Sequence, residues 1–166
     1  MIPVGIIMGS DSDFQVMEEA LNILEDFNIS YEVKVSSAHR TLGRTLNWVK
    51  QFEGQGGKVI IAAAGLSAHL PGVVAGATIL PVIGVPLRSG ALQGVDALYS
   101  IVQMPPGVPV ATVGIGAARN AGILAAQILA QDDQRIRQRI KDFRRKMANE
   151  IETKDSVIQD KLKRKS

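Results

Sequence analysis

Short apolar runs alternate with segments of helical periodicity along the chain. The length of these runs is typical of β-strands, and they lie at residues 4–8, 31–35, 59–63, 82–85 and 110–113. Apolar residues at helical spacing predict helices at 14–27, 42–52, from His69 onward, 95–102 and 120–130. Strands that alternate with helices in this way indicate an α/β domain.

The alternation predicts a three-layer αβα sandwich around a parallel sheet of about five strands, of the flavodoxin-like or Rossmann-like class. A long C-terminal helix is predicted from near residue 132, because Asp132 and Asp133 suit a positive helix amino end. We expect residues 1–130 to form an α/β catalytic domain, and 131–166 a basic helix and tail on the same domain or a neighbouring subunit. Residues 153–166 are expected to fray. The helix carries an apolar stripe that must be buried against something: Ile136, Ile140, Phe143, Met147 and Ile151.

Composition narrows the chemistry. The chain has 166 residues, is 46% hydrophobic and contains no cysteine, which predicts one globular domain without disulfides or thiolate sites. Its two histidines lack a zinc-binding spacing, so no metal site is predicted. The first apolar run lacks a basic leader, and no run approaches the roughly 18 to 20 apolar residues of a membrane span. We therefore expect a soluble, cytoplasmic protein with no membrane partner.

The net charge of +3 is unevenly divided. Residues 1–134 hold 7 basic and 11 acidic side chains, whereas residues 135–166 hold 12 and 5. A basic tail can bind nucleic acid, but this one contains a single aromatic residue, Phe143, and no nucleic-acid motif. A solvated or subunit-packing helix is the better interpretation, so no nucleic-acid partner is expected.

Polar, glycine-bounded loops follow the first three predicted strands. They cover residues 8–13, 36–41 and 65–72, and the last two contain His39 and His69. Loops at the carboxyl ends of parallel strands line the ligand crevice, so these three are expected to form one site. Both imidazoles can titrate near neutral pH.

The first loop has the composition of an anion site. Gly9 permits a tight turn, and Ser10, Ser12 and Asp13 lead into a helix amino end, where backbone N–H groups attract an anion. A plain helix cap by Ser12 or Asp13 is an equal alternative. The segment is neither a Walker loop nor a dinucleotide fingerprint. A carboxylate for ribose beside hydroxyls for a phosphate fits a mononucleotide better.

The other two loops add ionisable groups. Arg40 offers a bidentate phosphate donor and Ser37 a hydroxyl, next to His39. Taken alone, His39 would be an ordinary loop histidine and His69 a helix cap, but Gly65 gives backbone access beside them. Four other charged residues are expected to be solvated surface groups: Asp11, Arg44, Arg88 and Arg119.

Long motifs in a fixed order now identify a family resemblance. Over about residues 4–130 the chain resembles the N5-carboxyaminoimidazole ribonucleotide mutase family, the class I PurE enzymes of purine biosynthesis, also called the catalytic subunit of phosphoribosylaminoimidazole carboxylase. The segment 68–72 separates it from class II relatives, which carboxylate aminoimidazole ribonucleotide with free carbon dioxide. The motifs lie at 8–13, 37–41, 68–72, 80–86 and 100–105.

The resemblance implies an isomerase that moves a carboxylate from an exocyclic amine to a ring carbon by decarboxylation and recarboxylation. It implies no ATP, metal or organic cofactor, and a homo-octamer. By resemblance His39 is the general acid and base, His69 lies beside the transferred carboxylate, and Ser12 and Ser37 help to hold the phosphate. The implied substrate-binding residues are Ser10, Asp13, Arg40, Ser12, Ser37, Gly9, Ala38, Gly65, Ser67, His69 and Leu70.

Two positions depart from the commoner family pattern. Leu42 and Gly43 follow the second loop where proline is common, which predicts a more mobile loop, and Leu66 replaces a frequent second glycine, which predicts a narrower carboxylate pocket. Two alternatives to the mutase stay open: a class II carboxylase that uses free carbon dioxide, and a non-catalytic nucleotide-binding module.

Overall fold

The computed structural model describes residues 2–163, which form one parallel five-stranded sheet covered by helices on both faces. The strand order is β2-β1-β3-β4-β5, the doubly wound order of flavodoxin-like folds, so the predicted fold class is confirmed. The strands are β1 Val4–Met8, β2 Tyr31–Val35, β3 Val59–Ala64, β4 Val82–Pro86 and β5 Ala111–Thr112.

The helices lie close to where periodicity predicted them. Pro71 stands in the first turn of α3, a position that tolerates its missing N–H. The prediction of 110–113 was too long for β5, which at the sheet edge pairs with β4 through two residues. The helices are α1 Phe14–Asp26, α2 Leu42–Gly54, α3 Leu70–Ala75, α4 Val95–Val102, α5 Ala118–Leu129 and α6 Gln134–Lys163.

Alternate residues of the central strands face two separate cores. Val4, Ile6 and Met8 of β1 join α1, α5 and α6 on one side, whereas Ile7 packs on the other side with residues of α2, α3 and α4. On that second side Gly5 is required for space, because a Cβ there would lie 2.8 Å from the Trp48 ring. The missing side chain at Gly5 thus lets the aromatic rings of α2 approach the sheet closely.

Helix α6 begins as predicted, since Asp133 Oδ1 accepts hydrogen bonds from the N–H groups of Arg135 at 2.8 Å and Ile136 at 3.4 Å. The predicted fraying from residue 153 is wrong as far as Lys163: the helix continues, with Thr153 Oγ1 donating to the Asn149 carbonyl at 2.8 Å. Hydrogen bonds between residues four apart support these last turns, as from Ser156 Oγ to the Glu152 carbonyl at 3.0 Å. The rest of that prediction, 164–166, lies outside the described residues.

The apolar stripe of α6 is divided between a buried and an exposed part. Ile140 is buried in the core, and the Phe143 ring meets Phe27 edge-on at 5.5 Å. Farther along, Met147 and Ile151 are 50% and 63% exposed. None of the helices within residues 2–163 has the length and apolar character needed to cross a membrane.

Candidate active site

A cavity of about 680 Å³ lies over the carboxyl ends of β1 to β4. It brings together all of the loop residues for which the sequence predicted a function, although their roles there stay predictions. They come from the loops after β1, β2 and β3: Gly9, Ser10, Ser12, Asp13, Ser37, Ala38, His39, Arg40, Gly65, Ser67, His69 and Leu70.

The loop after β1 is held by its own side chains. The Ser10 N–H donates to Asp13 Oδ2 at 3.0 Å, and the Ser12 N–H donates to Ser10 Oγ at 3.4 Å. The capping hydroxyl is therefore that of Ser10 rather than Ser12, because the chain tightens into a short 3₁₀ turn before α1. Asp13 both closes this turn and lines the cavity. Burial raises the pKa of the Asp13 carboxyl, although the N–H of Ser10 opposes the shift.

A hydroxyl network beneath the loop after β2 fixes the turn that presents His39 and Arg40. Ser36 is buried and its Oγ lies 2.9 Å from Thr45 Oγ1 on α2. Thr41 Oγ1 accepts from the Ser37 N–H at 3.0 Å. Sequence reasoning missed the support from Ser36, Thr41 and Thr45, because a buried threonine on an apolar helix face resembles ordinary core.

Arg40 reaches back across the sheet from this loop. Its Nη2 donates to the Gly9 carbonyl at 3.3 Å, which places the guanidinium over the end of β1, in the same cavity as the serines of the first loop. An arginine fork beside hydroxyls and the first turn of α1 is a suitable environment for a phosphate.

The two histidines are in direct contact. His39 Nε2 lies 2.6 Å from His69 Nδ1, and the rings meet edge to face with centroids 4.7 Å apart. One ring must donate and the other accept, so this hydrogen bond cannot persist with both rings doubly protonated. If His39 is the donor, the bond survives both protonation states of His39, and its Nδ1 is the nitrogen that can exchange a proton with a ligand.

The loop after β3 contains a strained residue. Leu66 has a φ of +54°, in the left-handed region, where a leucine costs about 1 to 2 kcal/mol relative to the right-handed conformation. It also lines the cavity with a half-exposed side chain. Glycine adopts this left-handed backbone without that steric cost, which gives a physical reason for the glycine that the family resemblance led us to expect here.

Sequence reasoning missed the contribution of the loop after β4. Leu87, Arg88 and Ser89 also line the cavity. Arg88 was expected to be a solvated surface group, and it is exposed, but it also lines the cavity. Its place just after a predicted strand was a signal, but that signal points to this cavity only once β4 is known to lie next to β3. Arg119, by contrast, does not line the cavity; rather than being fully solvated it is partly exposed and pairs with Glu19 at 3.8 Å and Asp26 at 3.7 Å on α1.

Comparison with known proteins adds the family. Residues 3–150 match the family model described as AIR carboxylase. The chain belongs to the AIR carboxylase family. Family members named N5-carboxyaminoimidazole ribonucleotide mutase, from Pyrococcus abyssi and Thermotoga maritima, are 56% and 55% identical, across 89% of this chain and 84% and 86% of theirs.

A solved structure at lower sequence identity supports the same placement. The crystal structure of Treponema denticola PurE superposes with a TM-score of 0.86 at 34% identity, covering 92% of this chain and 96% of that chain. In residues 2–163 of the present chain, no group of three or more histidine, aspartate or glutamate side chains is arranged to hold a metal ion.

Proposed function

We propose that this chain is an N5-carboxyaminoimidazole ribonucleotide mutase, an isomerase that forms 4-carboxy-5-aminoimidazole ribonucleotide in purine (IMP) biosynthesis. The observation that carries the proposal is the hydrogen bond between His39 and His69 in a cavity that also holds Arg40. The 56% identity to a relative with that name supports the same activity.

The substrate phosphate binds at the β1 and β2 end of the cavity. Arg40 supplies a charge-assisted fork, and Ser12 and Ser37 supply hydroxyls. Asp13 is the carboxylate among the residues that line the cavity, and its two oxygens can accept hydrogen bonds from two neighbouring ribose hydroxyls. This arrangement holds the imidazole near the histidine pair.

The reaction requires one proton to be given and one to be taken back. The bond between the exocyclic nitrogen and the carboxylate breaks, its electron pair stays on nitrogen, and protonated His39 supplies the proton that completes the amine. The ring carbon then attacks carbon dioxide and forms the new carbon–carbon bond. His39 removes the hydrogen from that carbon, which restores the aromatic ring and the protonated imidazole. One group that moves a proton both ways suits histidine near neutral pH.

His69 keeps the His39 ring in place throughout this cycle. With Nε2 of His39 donating to His69 Nδ1, only Nδ1 of His39 changes its protonation. The ring therefore needs no reorientation between giving and taking the proton. No metal or organic cofactor enters this scheme.

We further propose that the enzyme is a cytoplasmic homo-octamer. Exposed apolar side chains on two helices support self-association: Met147 and Ile151 on α6, and Tyr99 and Val102 on α4. In this assembly the part of α6 that contains Met147 and Ile151 packs against a neighbouring subunit.

Turnover of purified protein tests the activity. The full chain is mixed with N5-carboxyaminoimidazole ribonucleotide, and formation of the carbon-carboxylated product is followed with and without added bicarbonate. A mutase gives the same product yield in both cases. In a parallel assay the substrate is aminoimidazole ribonucleotide. Formation of the same product there, dependent on added bicarbonate, identifies a class II carboxylase instead. Binding without product in either case identifies a non-catalytic nucleotide-binding module.

A further inference from the structure

Arg88 is the second guanidinium in the cavity, and no role described above uses it. It lies two residues after the end of β4 and lines the same cavity as Arg40 and the histidine pair. The carboxylate among the lining residues is Asp13, on the loop after β1. Arg88 therefore adds positive charge at the opposite end of the row of loops.

The Arg40 guanidinium and the loop that carries Arg88 lie over different strands of the sheet. The Arg40 guanidinium lies over β1, where it donates to the Gly9 carbonyl at 3.3 Å. Arg88 leaves β4, two strands away in the order β1-β3-β4. With neighbouring strands about 4.8 Å apart, the ends of β1 and β4 lie about 10 Å from each other. A ligand that meets both arginines is expected to carry one anionic group toward Arg40 and another toward Arg88.

Backbone contacts hold Arg88 beside the loop that carries His69. The Leu87 N–H donates to the Ala64 carbonyl at 2.9 Å, which continues the pairing of β4 with β3. A Cβ built on Gly65 would lie 3.2 Å from Ser89 Cβ, so the two loops are in direct contact. The second anionic group of the ligand is thus expected near Arg88 and the loop that carries His69.

We propose that Arg88 binds the carboxylate that the enzyme transfers, and that it makes the site prefer carboxylated over uncarboxylated aminoimidazole nucleotides. This inference rests on the proposed function, which supplies a nucleotide with phosphate at one end and a carboxylate near the ring. Guanidinium groups bind carboxylates through two parallel hydrogen bonds. Because substrate and product both carry the carboxylate, Arg88 stabilises both and acts on affinity more than on the chemical step.

Affinities for two nucleotides test the inference. Calorimetric titration of the full chain compares 4-carboxy-5-aminoimidazole ribonucleotide with aminoimidazole ribonucleotide. Arg88→Gln is expected to weaken binding of the carboxylated nucleotide about tenfold or more, and to change the affinity for the uncarboxylated nucleotide by less than about twofold. Arg88→Lys, which keeps the charge and loses the fork, is expected to fall between wild type and Arg88→Gln.

Two other arginine variants frame the result. Arg40→Ala is expected to weaken both nucleotides alike and to raise KM strongly, because both carry the phosphate. Arg44→Gln, at a helix position that does not line the cavity, is the matched control and is expected to change neither affinity.

The failures can be told apart. If Arg88→Gln weakens both nucleotides equally, or neither, while wild type turns over its substrate, this inference is overturned and the proposed function stands. If wild type binds neither nucleotide and shows no turnover, the proposed function is overturned and this inference with it.

Discussion

Nε2 of His39 and Nδ1 of His69 lie 2.6 Å apart, so a hydrogen bond joins the loops that follow β2 and β3. In the sheet β1 lies between those two strands, and the histidines therefore meet over the end of β1. The loop after β1 contains the Ser12 hydroxyl, which is proposed to help hold the phosphate. The proton-transfer groups and the anion site are thus neighbours by virtue of strand order.

Replacement of His39 by asparagine is expected to abolish interconversion while nucleotide affinity stays within about tenfold of wild type. The imidazole moves the proton, whereas Arg40 holds the phosphate. Steady-state turnover and calorimetric affinity measure the two effects separately. Retention of a tenth of wild-type turnover would argue against a proton-transfer role for His39.

His69→Asn is expected to retain more activity than His69→Leu, since an asparagine Oδ1 lies near the position of Nδ1 and can still accept from His39 Nε2. The loss in His69→Leu should fall on kcat more than on KM, because the proton-transfer ring loses its orientation. Kinetics of both variants, with circular dichroism as a check of folding, decide the matter. Equal activity in the two variants would mean that the hydrogen bond does not position His39.

Asp13→Asn is expected to leave the protein at least as stable as wild type near neutral pH and to weaken nucleotide binding. Burial raises the Asp13 pKa, so the folded state binds this proton more tightly than the unfolded state, and stability falls as pH rises through the raised pKa. Asparagine removes that cost and keeps an oxygen that can accept from the Ser10 N–H.

The pH dependence gives the check on Asp13. Urea midpoints of wild type and Asp13→Asn are compared at about pH 7.5 and about pH 4. Any advantage of the variant should shrink at the lower pH, where the wild-type carboxyl takes up its proton. A variant clearly less stable than wild type near neutral pH would show that the ionised carboxylate stabilises the fold.

Leu66→Gly is expected to release a larger share of free aminoimidazole ribonucleotide. Leu66 lines the cavity and its Cδ2 lies 3.0 Å from where a Cβ on Gly90 would be, so its side chain covers the gap between two loops. Carbon dioxide offers little charge to bind, and only walls retain it. Product partitioning measures the effect, and identical partitioning in wild type and variant would leave Leu66 a packing residue.

The double variant Met147→Asp, Ile151→Asp is expected to lower the assembly mass measured by light scattering. Met147 and Ile151 are at least half exposed in the single chain, so aspartates at these positions should not destabilise its fold. They would weaken association if the two positions are buried between subunits. Removing everything after Ala130 is a poorer test, because Ile140 is part of the core. Asn149→Asp is the matched control on the same exposed turn, and an unchanged mass in the double variant would contradict the proposed interface.

The sequence could predict the sheet because a strand that is buried on both faces consists of an uninterrupted apolar run, as in 59–64. It could not predict the end of α6. Thr153 and Ser156 are weak helix formers, yet their hydroxyls donate to the carbonyls of Asn149 and Glu152. Such bonds are compatible with either a frayed or an intact helix until the backbone is seen.

The same holds for the site. Loops with histidines were predicted because few other side chains titrate near neutral pH. Arg88 has no such mark, and a lone arginine in a loop is usually solvated. Its position in the cavity depends on β4 lying next to β3, which is a property of strand order and not of local sequence.

Strand order also separates two tasks that a designer would want to change independently. The chain runs from β1 to β2 on one side of β1 and crosses to β3 and β4 on the other, so the loops proposed to hold the phosphate and the loop that contains Arg88 stand on opposite halves of the sheet. Exchange of residues 87–89 alone would alter which substituent on the base is accepted, without rebuilding the segment at 9–13. Nucleotide capture and choice of transferred group are then separable engineering targets on one scaffold.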